Sequence, residues 1–156
     1  MLQPNAWSCM GYAFSMALGI PFAEFIRLVG HDGSAQPYNL KPYRQGFHIQ
    51  ECIDVCSYLG VACTEIQAYY GITPYLGSPD VIEIQPIKKC LARFKSYLST
   101  TSIGVLSGTG KTFEHAVLWD HGMIYDTRGN KFYTFDESQK NNFLPQSLWV
   151  LTKIAK

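Results

Sequence analysis

His115-Ala-Val-Leu-Trp-Asp-His-Gly-Met-Ile-Tyr-Asp-Thr-Arg-Gly129 is the stretch whose reading decides the fold. Two apolar runs flank His121-Gly122, and a polar residue followed by glycine between such runs signals a two-residue hairpin loop. That loop sets the register, with position 115 opposite 128 and 117 opposite 126. Side chains alternate across a strand, so 115, 117, 126 and 128 share one face. His115 and Asp126 become diagonal neighbours within reach of a hydrogen bond. A three-residue loop would place them on opposite faces. Asp126 also opens the turn Asp126-Thr-Arg-Gly129, whereas Asp120 and His121 read as turn residues. Further strands are expected at Ile103–Leu106, Lys131–Phe135 and Leu148–Thr152, which makes the last third an antiparallel sheet.

Upstream, the pattern is helical. Cys9–Leu18 is small and apolar, with Ser8 as an N-cap and Gly19 and Pro21 closing the end. A short helix fits 22–29 and stops at Gly30. Residues 31–46 are rich in Gly, Pro, Asn and Tyr and read as a loop. Helix returns at about 47–59, with Ile49, Cys52, Ile53 and Cys56 at helical spacing and Gly60 as its stop. Val61–Gln67 is a strand, 68–80 a loop and Val81–Ile84 a short strand. Residues 87–99 form a basic amphipathic helix, with Ile87, Leu91, Phe94 and Leu98 inward and Lys88, Lys89, Arg93 and Lys95 on a solvated face. Helices followed by an antiparallel sheet define the α+β class, with N-terminal helices packed on a C-terminal β-sheet. Residues 1–156 are expected to form one domain, since no repeat, low-complexity tract or linker interrupts them.

Composition narrows the function. The chain has 156 residues, 47% of them hydrophobic and 16% charged, which suits a packed core. A net charge of +1 gives no electrostatic case for a nucleic-acid partner. No apolar run approaches the roughly 20 residues of a membrane span, and the N-terminus lacks a secretory signal. No membrane partner and a cytoplasmic location are therefore expected. The five cysteines are an odd set, which favours free thiols over a disulfide framework. Cys52, Cys56, Cys63 and Cys90 sit in apolar or amphipathic segments and read as core.

Cys9 differs, because it opens a helix. Unpaired N–H groups and the helix dipole favour an anion at that position, a setting in which thiols ionise more readily. A buried small hydrophobe is the plain alternative. Gln3 stands six residues before Cys9, where its amide could reach over the thiol as an oxyanion donor. Without that spacing it would be a solvated terminal residue.

Gln3-x5-Cys9, the helix Gly11-Tyr-Ala-Phe-Ser-Met-Ala-Leu18, His115-Ala-Val-Leu-Trp119 and Gly122-Met-Ile-Tyr-Asp126-Thr-Arg-Gly129 together resemble the papain-like cysteine peptidases. The resemblance is to the compact bacterial branch that includes the bacteriocin leader-processing, double-glycine peptidases. It implies a papain-like α+β fold and hydrolysis of a peptide, isopeptide or other amide bond through a thioester. It makes Cys9 the nucleophile, His115 the base and later the acid, Asp126 the orienter of the imidazole and Gln3 the oxyanion donor. It implies a peptide or protein substrate and no cofactor. Met10 and Trp7-Ser8 depart from the family pattern around the cysteine. An enzyme without a pro-segment before Gln3 is expected, and a free-standing enzyme of this size would suit a phage, mobile-element, toxin or effector product.

Rival readings stand beside this one. The same fold could serve as a catalytically idle module that binds a host protein. His48, Cys52 and Cys56 share a helix face at i, i+4 spacing and could suggest zinc. Three ligands on one helix enclose a tetrahedral ion poorly, and Ile49 and Ile53 lie in the same stripe, so core packing is the better reading. Ser107-Gly-Thr-Gly-Lys-Thr112 is similar to a phosphate-binding loop but has Val105 where the motif needs glycine. It reads instead as a mobile loop leading to His115.

Overall fold

A computed structural model describes residues 5, 7–34, 45–68, 87–110 and 114–154. The expected strand Val81–Ile84 and most of the two long loops lie outside the described residues. The chain is α+β. Helices α1 (Cys9–Leu18), α2 (Phe22–Val29) and α3 (Ile49–Tyr58) come first. Strand β1 (Val61–Gln67) and helix α4 (Ile87–Thr100) follow. Strands β2 (Ile103–Thr109), β3 (Glu114–Asp120), β4 (Met123–Asp126), β5 (Lys131–Thr134) and β6 (Leu144–Lys153) complete a six-stranded sheet. Its order is β1-β6-β2-β3-β4-β5, and every neighbouring pair is antiparallel.

The helix stops are those the glycines dictate. Gly19 and Gly30 end α1 and α2 at φ +69° and +90°, conformations open to a residue without Cβ. The start of α3 differs from expectation. His48 lies outside the helix as its N-cap, and Glu51 closes a capping box by accepting the His48 N–H at 2.7 Å. The other oxygen of Glu51 takes the Nε2–H of His31 at 2.8 Å, while Nδ1 of His31 accepts the Gly33 N–H at 3.0 Å. One carboxylate thus fixes both the helix start and the chain entering the 31–46 region.

The sheet is covered on both faces, so helices are not confined to one side. On one face Val105 and Ala116 pack with Ala13, Phe14, Phe25, Cys52 and Val55 from α1–α3. On the other, Leu106, Val117, Trp119 and Ile124 pack with Phe94 and Leu98 of α4. The cause is visible in the strands. Val105 and Leu106 are consecutive and both fully buried, as are Ala116 and Val117 nearly so, and a strand apolar on both faces needs two covers. Nor is the sheet wholly C-terminal, because β1 joins it by pairing with β6 along its whole length.

Helix α4 buries Cys90, Phe94 and Leu98. Its basic side is not simply solvated. Arg93 donates to the Gln67 carbonyl at the end of β1, and Lys95 pairs with Asp136 at 2.6 Å. Ser107-Gly108-Thr109, expected as loop, is strand, paired with β3 on one side and β6 on the other. Conversely, β5 stops at Thr134, where Glu137 accepts the Thr134 N–H at 2.9 Å and opens a short 3-10 turn. Among the described residues no single helix is long and apolar enough to cross a membrane.

Candidate active site

The hairpin register is the expected one. Asp120 pairs with Met123, Trp119 with Ile124 and Leu118 with Tyr125. His121 and Gly122 both take positive φ, 46° and 90°, as a two-residue type I′ loop requires. His115 and Asp126 consequently share a face, and Nε2 of His115 lies 2.9 Å from Oδ1 of Asp126. Both side chains are buried. Asp126 also performs its turn role, since the same oxygen accepts the Arg128 N–H at 2.9 Å. Its other oxygen accepts the Tyr133 hydroxyl at 3.4 Å.

Cys9 reaches this pair from the opposite layer. Its helix packs on the face that carries Ala116, and its thiol, at the helix tip, lies close enough to the His115 ring to help raise its basicity. With Nε2 committed to Asp126, Nδ1 is the nitrogen left for the thiol. Ser8 stands at the N-cap as expected but does not cap. Its hydroxyl donates to the Asn5 carbonyl at 3.3 Å and makes no cap bond to the helix. The Ser8 side chain thus leaves the first-turn N–H groups unoccupied, and such groups favour an anion beside Cys9.

Burial would lower the basicity of His115. The hydrogen bond to Asp126 and the nearby Cys9 thiol, with the negative charges those groups can carry, outweigh it and lift the imidazole to about 9. For Asp126, burial acts to raise the carboxyl. The bond and charge of His115, then the Arg128 N–H and the Tyr133 hydroxyl, bring it below the ordinary value. Phe143, itself buried, meets the His115 ring edge-on at 5.7 Å between centroids and 86°, and helps keep water from the His115–Asp126 bond.

Of the four residues singled out in sequence, the structure brings together Cys9, His115 and Asp126. Gln3 lies outside the described residues. His48, Cys52 and Cys56 do not converge on an ion. His48 caps α3, the two cysteines are fully buried in the core, and no group of three His, Cys, Asp or Glu among the described residues is placed to hold a metal. Tyr133 and Phe143 were not anticipated. Alternation along β5 puts Tyr133 on the Asp126 face once the β4–β5 register is known, but no local signal marks Phe143. Neither protein-family models nor curated proteins gave a match to this chain.

The two shifts have opposite consequences for stability. His115 is raised above its ordinary 6.5, so its contribution is complete below pH 6.5 and disappears as pH rises through about 9. Asp126 is lowered, so its contribution is present above pH 3.8 and is lost as pH falls through its folded-state value. Urea unfolding between pH 6 and 9.5 is expected to show stability falling by on the order of 1–3 kcal/mol. Asp126→Asn should flatten or reverse that slope. A parent protein equally stable across the window would contradict the charged His115–Asp126 pair.

Proposed function

We propose that this chain is a thiol hydrolase of the papain-like kind, cleaving a peptide, isopeptide or other amide bond through a thioester on Cys9. The observation that carries the reading is the Cys9–His115–Asp126 relay. It joins a thiol at the start of a helix to an imidazole whose far nitrogen is held by a buried carboxylate. In this mechanism Nδ1 of His115 takes the Cys9 proton, and the thiolate attacks the carbonyl carbon of the substrate. The Cys9 backbone N–H and, by the family resemblance, the Gln3 amide stabilise the oxyanion. The imidazolium then protonates the departing amine, leaving an acyl-thioester. Neutral His115 next removes a proton from water, which attacks the thioester and releases the acid. Asp126 holds the ring and balances its charge throughout. No cofactor takes part in these steps, and the substrate is a peptide or protein.

A set of peptide amides of varied sequence, mixed with the protein and quenched in acid, tests the proposal. Intact-mass and peptide analysis should find an acyl group on Cys9 that decays to free acid, and Cys9→Ala should show neither adduct nor product. A folded parent that never acylates on Cys9 would favour an idle fold that binds a partner.

A further inference from the structure

Among the five free thiols, Cys56 and Cys63 take no part in the Cys9 relay yet lie against each other. Cys56 stands two residues before the end of α3 and is fully buried. Gly60, at φ +71°, turns the chain straight back into β1, which packs along α3. Cys63 is on the inward side of β1, half-buried, in the same apolar cluster as Cys56. The two thiols lie close enough across the α3–β1 packing to influence each other. Sequence reading had placed both in the core. The structure places one in the core and the other at its margin, in mutual contact.

We propose that Cys56 and Cys63 form an oxidisable dithiol, converted by hydroperoxides to a disulfide that fastens α3 to β1. Cys63 is the attacking thiol. It is the more accessible of the two, and the neighbouring Cys56 thiol lowers it below an ordinary thiol against the opposing effect of burial. Its sulfur attacks the peroxide oxygen, an S–O bond forms as the O–O bond breaks, and the departing oxygen leaves protonated as water or an alcohol. The resulting sulfenic acid is held beside Cys56. The Cys56 sulfur attacks it, an S–S bond forms, the S–O bond breaks, and the hydroxide leaves as water with the Cys56 proton. Two thiols and one peroxide thus give one disulfide, with the peroxide as the two-electron oxidant. Cys56 is a poor first nucleophile, because the neighbouring Cys63 thiol and then burial both hold its proton. Cys52, one turn earlier and fully buried, is likewise raised by burial and remains a thiol.

The test treats the reduced full-length protein with near-stoichiometric hydrogen peroxide. It then alkylates in urea and maps peptides without reduction. The expected product joins the Cys56 and Cys63 peptides, unalkylated and lighter by two hydrogens. It should form equally in Cys9→Ala, which separates this dithiol from the proposed catalytic thiol. Cys56→Ser should give no bridge and leave Cys63 as a sulfenic acid, captured by dimedone. The proposal is overturned if Cys63 bridges to Cys9 or Cys52. It is equally overturned if both thiols stay fully alkylatable while peroxide is consumed.

Discussion

His115→Gln is expected to abolish turnover on any substrate the parent hydrolyses, by about 10⁴-fold or more, and to slow the alkylation of Cys9 at pH 6. The size follows from interdependence, since a nucleophile and its base act as a unit and losing either costs nearly as much as losing both. The expected labelling effect is smaller. Alkylation needs only an accessible, nucleophilic sulfur, whereas turnover needs the base at every step. The net change is on the order of tenfold. The molecule carries its own control, because Cys63 is half-buried like Cys9 but stands outside the relay, so His115→Gln should leave its labelling rate unchanged. Iodoacetamide labelling resolved by peptide should find Cys9 slowed in the variant while Cys63 labels at the same rate in both proteins. Gln retains a donor for Asp126, so the variant avoids leaving a buried carboxylate unpaired, which His115→Ala would do. Labelling of Cys9 unchanged in a folded His115→Gln protein would remove His115 from the mechanism.

The part of the site legible in sequence was the part encoded locally. A two-residue loop at His121-Gly122 fixes parity, and parity alone brings His115 to Asp126. Helix α1 was equally plain, because its residues 9–18 are apolar and Gly19 stops it. What escaped depends on residues distant in the chain. His48 at i, i+4 from Cys52 looks helical until Glu51 is seen capping it. Leu91, Phe94 and Leu98 define an inward face for α4 but not which face of the sheet receives it. The adjacent buried pairs Val105-Leu106 and Ala116-Val117 were the overlooked sign of a sheet covered twice. Strand β6 was read from Leu148, yet it begins at Leu144, because a proline argues against a central strand. Pro145 is accommodated by a register shift: Ser107 pairs with Ser147 and Gly108 with Pro145, so Gln146 is the extra residue.

That shift underlies the largest expected loss of stability. At Gly108 the β6 backbone comes so close that an added Cβ would lie 2.1 Å from the Leu144 carbonyl oxygen and 2.9 Å from the Gln146 nitrogen. Both neighbours are backbone atoms of a strand held between β1 and β2, so neither can swing aside as a side-chain tip would. Overpacking a well-packed site costs typically 1–3 kcal/mol, and a clash against a fixed backbone belongs at or above the top of that range. Gly108→Ala is therefore expected to destabilise by about 3 kcal/mol or more. Gly122→Ala is the control. It has open space around its Cβ position but a φ of +90°, so it should cost only about 1 kcal/mol of backbone strain. Thermal or urea unfolding of the two variants separates the effects, and equal losses would mean that β6 does not approach β2 as described. The consequence reaches the chemistry, because Gly108 pairs directly with His115 across β2 and β3. Relieving the clash by moving β2 shifts the strand that presents the imidazole. Any Gly108→Ala protein that still folds should show slowed Cys9 labelling along with lost stability, whereas Gly122→Ala, in a hairpin loop open to solvent, should keep the parent rate.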